Sequence, residues 1–427
     1  MTYLFVGAGQ AGGAIVDAIF DYTDDSMLGL FESTDISTLG RPLVFNSTMR
    51  DLQNLSNVPA EDQYGIAEQH GLVQGTEPGF EEMVTGGFGR NPAAADEVMD
   101  DHTSELQTIF SEKFERGFES EYDESGGNAA DRGRSDTIQF AFLFLGLGGG
   151  TGCGISPHLA REIKAFTDDN TKIIAVAILP NMQGSSGSDD EETTAGRQAW
   201  NARYGLNRLE EEVDGIILVD NQRISYLDSA GGEFGEYNEY VAAAIHDMVA
   251  GPMLSSVDAS EVEGIDTPDI DVRDIVTSLS FGVGTDDSKP GYGAIGRSVT
   301  MTRSLPGYLL PFVGKREIDS AALSRLSASK QTLANADVDD AQKAISLVRA
   351  PSANLEAGPY SIETGTVKEF LERSCGLSEV NLGVALSDRN LASVTTLLTY
   401  RREDIDRLEE IEAAADAYET ETEELLA

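Results

Sequence analysis

The chain has 427 residues, 40% of them apolar, which is enough for two domains with substantial cores. Its 74 Asp and Glu against 30 Lys and Arg give a formal net charge of −44, spread along the sequence rather than gathered in one tail. This balance excludes nucleic acid as a partner, since no basic patch exists to neutralise phosphates, and predicts the uniformly acidic surface that keeps halophilic proteins dispersed in molar salt.

Tyr3-Leu4-Phe5-Val6 reads as a strand, Gly7 to Gly13 as a glycine turn and Ala14–Phe20 as the helix it opens. Leu28–Glu32 reads as a second short strand ending at Ser33-Thr34-Asp35. Glu32 lies 20 positions after Gly12, where a dinucleotide fold places an acid on a ribose hydroxyl. The first 35 residues are therefore also compatible with a flavin or nicotinamide oxidoreductase. Residues 46–80 are polar and turn-rich; Gly86–Pro92 is a third glycine turn, followed by a helix to about Lys113; residues 112–136 read as an exposed acidic loop.

The most informative stretch follows. Phe140–Leu145 is an unbroken apolar run, suited to a strand covered on both faces, and it empties into Gly148-Gly149-Gly150-Thr151-Gly152-Cys153-Gly154. Five glycines in seven positions are costly in chain entropy, so close backbone approach must compensate for them. An amphipathic helix over 157–166 comes next. Strand, glycine loop and helix N-terminus make an anion site, and two such sites on one sheet point to nucleotide phosphates. The pattern G-x-x-x-x-G-K-[ST] is missing, so backbone amides and a metal ion must neutralise the phosphates instead of a lysine.

Lys172–Leu179 is a further buried strand leading to Pro180, residues 195–213 form a helix, and Gly215–Val219 is a strand ending in Asp220-Asn221. This alternation predicts an α/β fold, a Rossmann-like doubly wound parallel sheet with ligands at its carboxyl edge. Glu236–Ala250 is a long helix stopped by Gly251-Pro252. Asp271 and Asp274 are three apart at the start of another helix, so both carboxylates share one side, either as caps or as working groups. From Gly293 the texture turns α+β, with strands at 294–303, 309–313, 344–349, 380–386 and 391–400 and helices at 319–329 and 366–374; residues 402–427 are an acidic helix or disordered. Cys153 and Cys375 suggest a reducing compartment, the four histidines lack metal-ligand spacing, and no apolar run of 18 residues calls for direct membrane insertion.

With these motifs placed, the chain resembles the tubulin/FtsZ superfamily from residue 3 to about 400, and within it the haloarchaeal CetZ branch. Gly148–Gly154 is similar to the signature GGGTG[ST]G, with Cys153 where Ser or Thr is usual. Gly9-Gln10-Ala11-Gly12-Gly13 resembles the first nucleotide loop, Ser33-Thr34-Asp35 the second, and Gly86–Pro92, with Gly89, Arg90 and Asn91, the γ-phosphate-sensing third. The resemblance implies that Asn221 reads guanine, that Phe234 stacks on it, that Asn238 hydrogen-bonds it, and that Pro180 and Asn201 belong to the same site. It also implies that Asp269–Asp274 is the loop that enters the next subunit's pocket, where Asp271 and Asp274 polarise the attacking water.

The expectation is a cytoplasmic GTPase that uses GTP/GDP and Mg²⁺ and polymerises head to tail with itself, with lateral or adaptor protein partners. It divides into a GTP-binding domain at 1–235 with inserts near 46–80 and 112–136, a central helix at 236–251, a second α+β domain at 252–400 and an acidic tail at 401–427. The alternative is a GTP-binding scaffold or switch with little or no hydrolysis.

Overall fold

The computed structural model describes residues 2–22, 36–84, 86–114, 138–182, 189–224, 234–254, 270, 272–281, 289–303, 314–355, 358–377, 379–387 and 390–426. In chain order the elements that position the site are β1 (Thr2–Ala8), α1 (Gly9–Asp21), β2 (Gly40–Asn46), α2 (Met49–Gln53), β3 (Gln63–Ala67), β4 (Gly71–Gln74), α3 (Phe80–Met83), α4 (Pro92–Asp101), α5 (Thr103–Lys113), β5 (Ile138–Gly146) and α6 (Thr151–Phe166). There follow β6 (Lys172–Leu179), α7 (Asp189–Leu209), β7 (Gly215–Asp220), α8 (Asn221–Ile224), α9 (Phe234–Leu254), α10 (Val272–Ser278) and a small ribbon of β8 (Ser280–Phe281) and β9 (Lys289–Pro290). The chain ends with β10 (Tyr292–Met301), α11 (Ser320–Ser329), β11 (Lys343–Ala350), α12 (Ser352–Leu355), α13 (Thr364–Glu369), β12 (Glu379–Leu386), β13 (Leu391–Tyr400) and α14 (Asp406–Leu426).

Eleven strands form one sheet in the order β12-β11-β13-β10-β7-β6-β5-β1-β2-β3-β4. The run from β3 to β10 is parallel, and β4 and β13 join it antiparallel. Strand alternation decides the two faces. On β5, Phe140, Phe142 and Phe144 point to the layer holding α1 and α9, whereas Ala141, Leu143 and Leu145 point to the layer holding α4, α5, α6 and α7. The continuous apolar reading of 140–145 is thus a strand buried on both faces, as expected of a parallel sheet.

The segment expected to be a strand at 28–32 lies outside the described residues, as does that at 309–313. The strand paired with β1 is β2, in register from Tyr3↔Gly40 to Ala8↔Phe45. Residues 46–80, expected to be polar turns, contain α2, β3 and β4 and widen the sheet. Gly251 and Pro252 do not stop the central helix, which runs to Leu254. The C-terminal strands continue the same sheet through Tyr292↔Ile216 and Gly293↔Ile217. Residues 406–426 are helical, and Leu408, Ile411 and Ala415 of α14 are buried in the core beside α7.

Candidate functional site

Five successive carboxyl ends of parallel strands, those of β7, β6, β5, β1 and β2, open onto one cleft of about 620 Å³. Its wall includes Gly9, Gln10 and Ala11 after β1, Gly148–Gly152 after β5, Pro180 and Asn181 after β6, and Asn221 after β7. Gly87–Arg90 and Gln198 complete it from the side.

Two helices start here, α1 and α6, and neither has a side-chain cap on its N-terminus or an acidic residue in its first turn. Helix N-termini normally recruit such groups, because the first N–H groups have no intrahelical partner and carry partial positive charge. Leaving both bare and facing one cleft creates a doubled anion site. The glycines allow the backbones to meet. Gly9 has φ 71°, and a Cβ on Gly150 would stand 2.6 Å from the amide nitrogen of Asn91.

Ser33-Thr34-Asp35, expected as the second loop, lies outside the described residues. The loop that the structure brings to the cleft follows β2, with Asn46 and Thr48 on the wall. Ser47 Oγ is 2.8 Å from Thr151 Oγ1, which ties this loop to the glycine loop. Asp51, in the first turn of α2, is the one carboxylate on the wall among the described residues. The available signal was Leu43-Val44-Phe45 followed by Asn-Ser-Thr, an apolar run emptying into polar loop residues.

Several expected site residues play supporting parts instead. Gly12 and Gly13 are buried behind the wall: a Cβ on Gly12 would collide with the Phe144 carbonyl, so it lets α1 pack on β5, and one on Gly13 would press on Val44 of β2. Cys153 does not face the cleft: its thiol is fully buried, donates to Leu147 O at 3.0 Å, and burial pushes it far above the ordinary thiol range. Gly154 lies against Pro92 and Ala95, where it brings α6 onto α4. Asn91 turns away to cap α4, its Oδ1 accepting from Ala93 N at 3.1 Å and Ala94 N at 3.4 Å.

Asn201 is a clamp. It is 1% exposed, and its Nδ2 donates to Arg90 O at 3.0 Å and Gly148 O at 3.3 Å, joining the third loop to the glycine loop. Arg90 needs the clamp because it sits at φ 61°, a left-handed conformation that costs a non-glycine residue about 1 kcal/mol or more. Asn238 is half-buried in α9 and is not part of the cleft wall; Phe234 opens α9, but its side chain is outside the described set.

Asp220 is fully buried behind Asn221, with its Oδ1 accepting from Gln222 N at 2.9 Å and its Oδ2 from Arg407 Nε at 3.0 Å. Burial pushes its carboxyl above the ordinary value, against the opposing pull of Arg407. Asp274 is in the first turn of α10; Asp271 is outside the described residues. α10 sits at the other edge of the sheet from the cleft. Leu279, just after it, packs on Gly215 and Gly293, and Gly291 N donates to Leu279 O at 2.6 Å. Gly215 begins β7 and Asn221 follows its end, so the strand's length, about 20 Å, separates the two edges.

Among the described residues no group of three or more His, Cys, Asp or Glu is arranged to hold a metal ion, and no helix is long and apolar enough to cross a membrane. Residues 130–227, which span the glycine loop, β6 and β7, match the family model described as "Tubulin/FtsZ family, GTPase domain". A tubulin-like protein CetZ of Methanothrix thermoacetophila is 25% identical over 66% of this chain, an alignment spanning 62% of that relative's length. Tubulin-like protein CetZ3 of Haloferax volcanii is 25% identical over 97% of this chain and 92% of its own. Among solved structures, CetZ2 of Haloferax volcanii in a GTPγS-bound protofilament superposes with a TM-score of 0.63 at 18% identity, covering 99% of this chain and 100% of that one. The glycine-loop match, the CetZ relatives and the shared fold together support the tubulin/FtsZ superfamily, and within it the CetZ-like branch, as the family this chain resembles.

Proposed function

We propose that the cleft binds GTP and GDP and that the chain polymerises head to tail, each subunit completing hydrolysis of the nucleotide held by its neighbour. The observation that carries this reading is geometric. Leu279, just after α10, packs at the beginning of β7, and the anion-binding loops lie at the carboxyl end of the sheet, about 20 Å along that strand, so α10 is anchored away from the phosphates of its own subunit. A second copy stacked along the strand direction would bring α10 onto the cleft. Such a contact is heterologous and does not close on itself, which produces filaments.

In this reading the bare N-termini of α1 and α6 hold the phosphates, Gln10 borders them, and Gly89 and Arg90 follow the terminal phosphate. Asn221 recognises the guanine edge, with Phe234 and Asn238 at the start of α9 completing the base site. The donor set suits Mg²⁺ as well, since that ion is usually held by one or two carboxylates together with substrate phosphates, and Asp51 with Asn46 and Thr48 offers such a partner. Bound there, Mg²⁺ would neutralise charge on the phosphate oxygens. Asp271 and Asp274 of the next subunit orient the attacking water, a positioning and electrostatic role.

Residues 1–235 then act as the nucleotide-binding unit, the helix from 236 as a spine and residues 252–400 as the unit that carries the acidic loop. We place the polymer in the cytoplasm, in control of cell shape or division. Asp274→Ala tests the assignment. Retained GTP binding with lost phosphate release is expected, whereas unchanged turnover refutes the catalytic role of Asp274; GTP binding without phosphate release by the parent chain is the result that favours a scaffold.

A further inference from the structure

The C-terminal helix carries a contact that the nucleotide reading does not use. Arg407, in its first turn, is 1% exposed and is among the largest fully buried side chains of the protein. Its Nε donates to Asp220 Oδ2 at 3.0 Å, its Nη2 to Pro180 O at 2.8 Å and its Nη1 to Glu410 Oε2 at 2.9 Å. Pro180 and Asn221 are both on the cleft wall, one after β6 and the other after β7. Asp220 in turn accepts from the Gln222 amide at 2.9 Å and so shapes the turn that presents Asn221. One planar guanidinium therefore braces two neighbouring strand ends from behind, using the fixed fork of donors that a lysine ammonium lacks.

We propose that Arg407 is a positioning residue of the nucleotide site, and that α14 is a structural part of the base-binding corner instead of a tail. This rests on the reading of the cleft as a guanine-nucleotide site and adds a segment to it from the far end of the chain. The helix has its own anchors, which makes the role separable. Arg203 Nη1 pairs with Asp416 at 2.5 Å and Arg203 Nη2 with Glu419 at 2.8 Å, Trp200 Nε1 donates to Glu419 at 2.8 Å, and Leu408, Ile411 and Ala415 are buried in the core. Loss of Arg407 leaves those anchors in place and removes the brace alone. The carboxylate of Asp220 and the Pro180 carbonyl are then left without their shared donor, and the loop bearing Asn221 can rotate away from its reading position. Occupation of the cleft and seating of α14 are consequently linked, each favouring the other to the same degree.

The test compares the full chain with Arg407→Met, Arg407→Lys and, as a control, Arg203→Ala, measuring dissociation constants for GTP and ITP in molar KCl. ITP lacks only the exocyclic amine of guanine. Arg407→Met is expected to weaken GTP binding at least tenfold and to shrink the preference for GTP over ITP, with Arg407→Lys intermediate. Arg203→Ala should lower the melting temperature and leave the preference unchanged. An Arg407→Met protein with wild-type affinity and wild-type preference overturns the inference alone, whereas a wild-type chain that binds no GTP overturns the nucleotide reading and this inference with it. Hydrogen exchange of the unmodified chain supplies a second readout that needs no variant. Amides of residues 406–412 are expected to slow several-fold when GDP is added, and unchanged exchange with GDP bound also overturns the proposal.

Discussion

Gly149→Ala separates the phosphate cradle from the fold that supports it. Gly149 is on the cleft wall, and a Cβ built there meets no atom within 4 Å, so the folded chain accommodates the methyl group without repacking. Stability should stay within about 0.5 kcal/mol of the parent. The same methyl group stands where the phosphates approach the backbone. Forfeiting one charge-assisted amide contact costs about 1.5–3 kcal/mol, a loss of roughly 10- to 150-fold in affinity. Gly150→Ala makes the contrast, because its Cβ would stand 2.6 Å from Asn91 N and 2.9 Å from the Arg90 carbonyl carbon, backbone atoms that cannot swing aside. That substitution should cost about 1–3 kcal/mol of stability as well as binding. The assay is titration with a fluorescent GTP analogue alongside thermal melting. Wild-type affinity in Gly149→Ala would refute the cradle.

Asn201→Ala removes two hydrogen bonds and releases Arg90 from its left-handed conformation, so about 1–3 kcal/mol of stability should disappear together with nucleotide affinity, as read by melting and titration. Asp247, on α9, is fully buried; desolvation opposes its charge, yet Arg297 at 2.7 Å and Arg349 at 2.6 Å overcome it and hold the carboxyl well below its usual range. A carboxyl lowered on folding contributes stability above its unfolded pKa of about 3.9 and loses it as the pH falls towards the folded value. Asp247→Asn should therefore cost about 3–5 kcal/mol near pH 7 in denaturant melts, with the difference from wild type narrowing below about pH 4. With a net charge of −44, the chain should hold its circular-dichroism spectrum in ~3 M KCl and lose it near 0.01 M salt, where the Debye length reaches about 30 Å. An unchanged spectrum would contradict the charge argument.

The glycine loop was legible because everything it needs is local: a doubly buried strand, its exit and the helix that follows are contiguous from Ile138 to Phe166. The loop after β2 was not, because β2 begins with Gly40-Arg41-Pro42, residues that read as a turn, and becomes a strand only by pairing with β1. Gly40 has its own tertiary reason, since a Cβ there would stand 2.6 Å from Tyr3 O. Asn91, Asn201 and Cys153 lie close in sequence to the cleft loops, but their side chains are committed to capping, clamping and core packing, which depends on the three-dimensional arrangement of the loops and helices around them. The acidic C-terminal segment looked solvated from its charge, while the i, i+3, i+7 spacing of Leu408, Ile411 and Ala415 marked an apolar stripe. Arg407 gave no sign of burial, because its partner Asp220 is 187 residues away.

The central claim is that the catalytic site is shared between subunits, and phosphate release from GTP as a function of protein concentration tests it most directly. In molar KCl with Mg²⁺, and with light scattering recorded in parallel, the rate per subunit should rise above a threshold concentration at which scattering also appears. A rate per subunit that stays constant across that threshold, with GTP bound throughout, would contradict a site completed by the neighbouring chain.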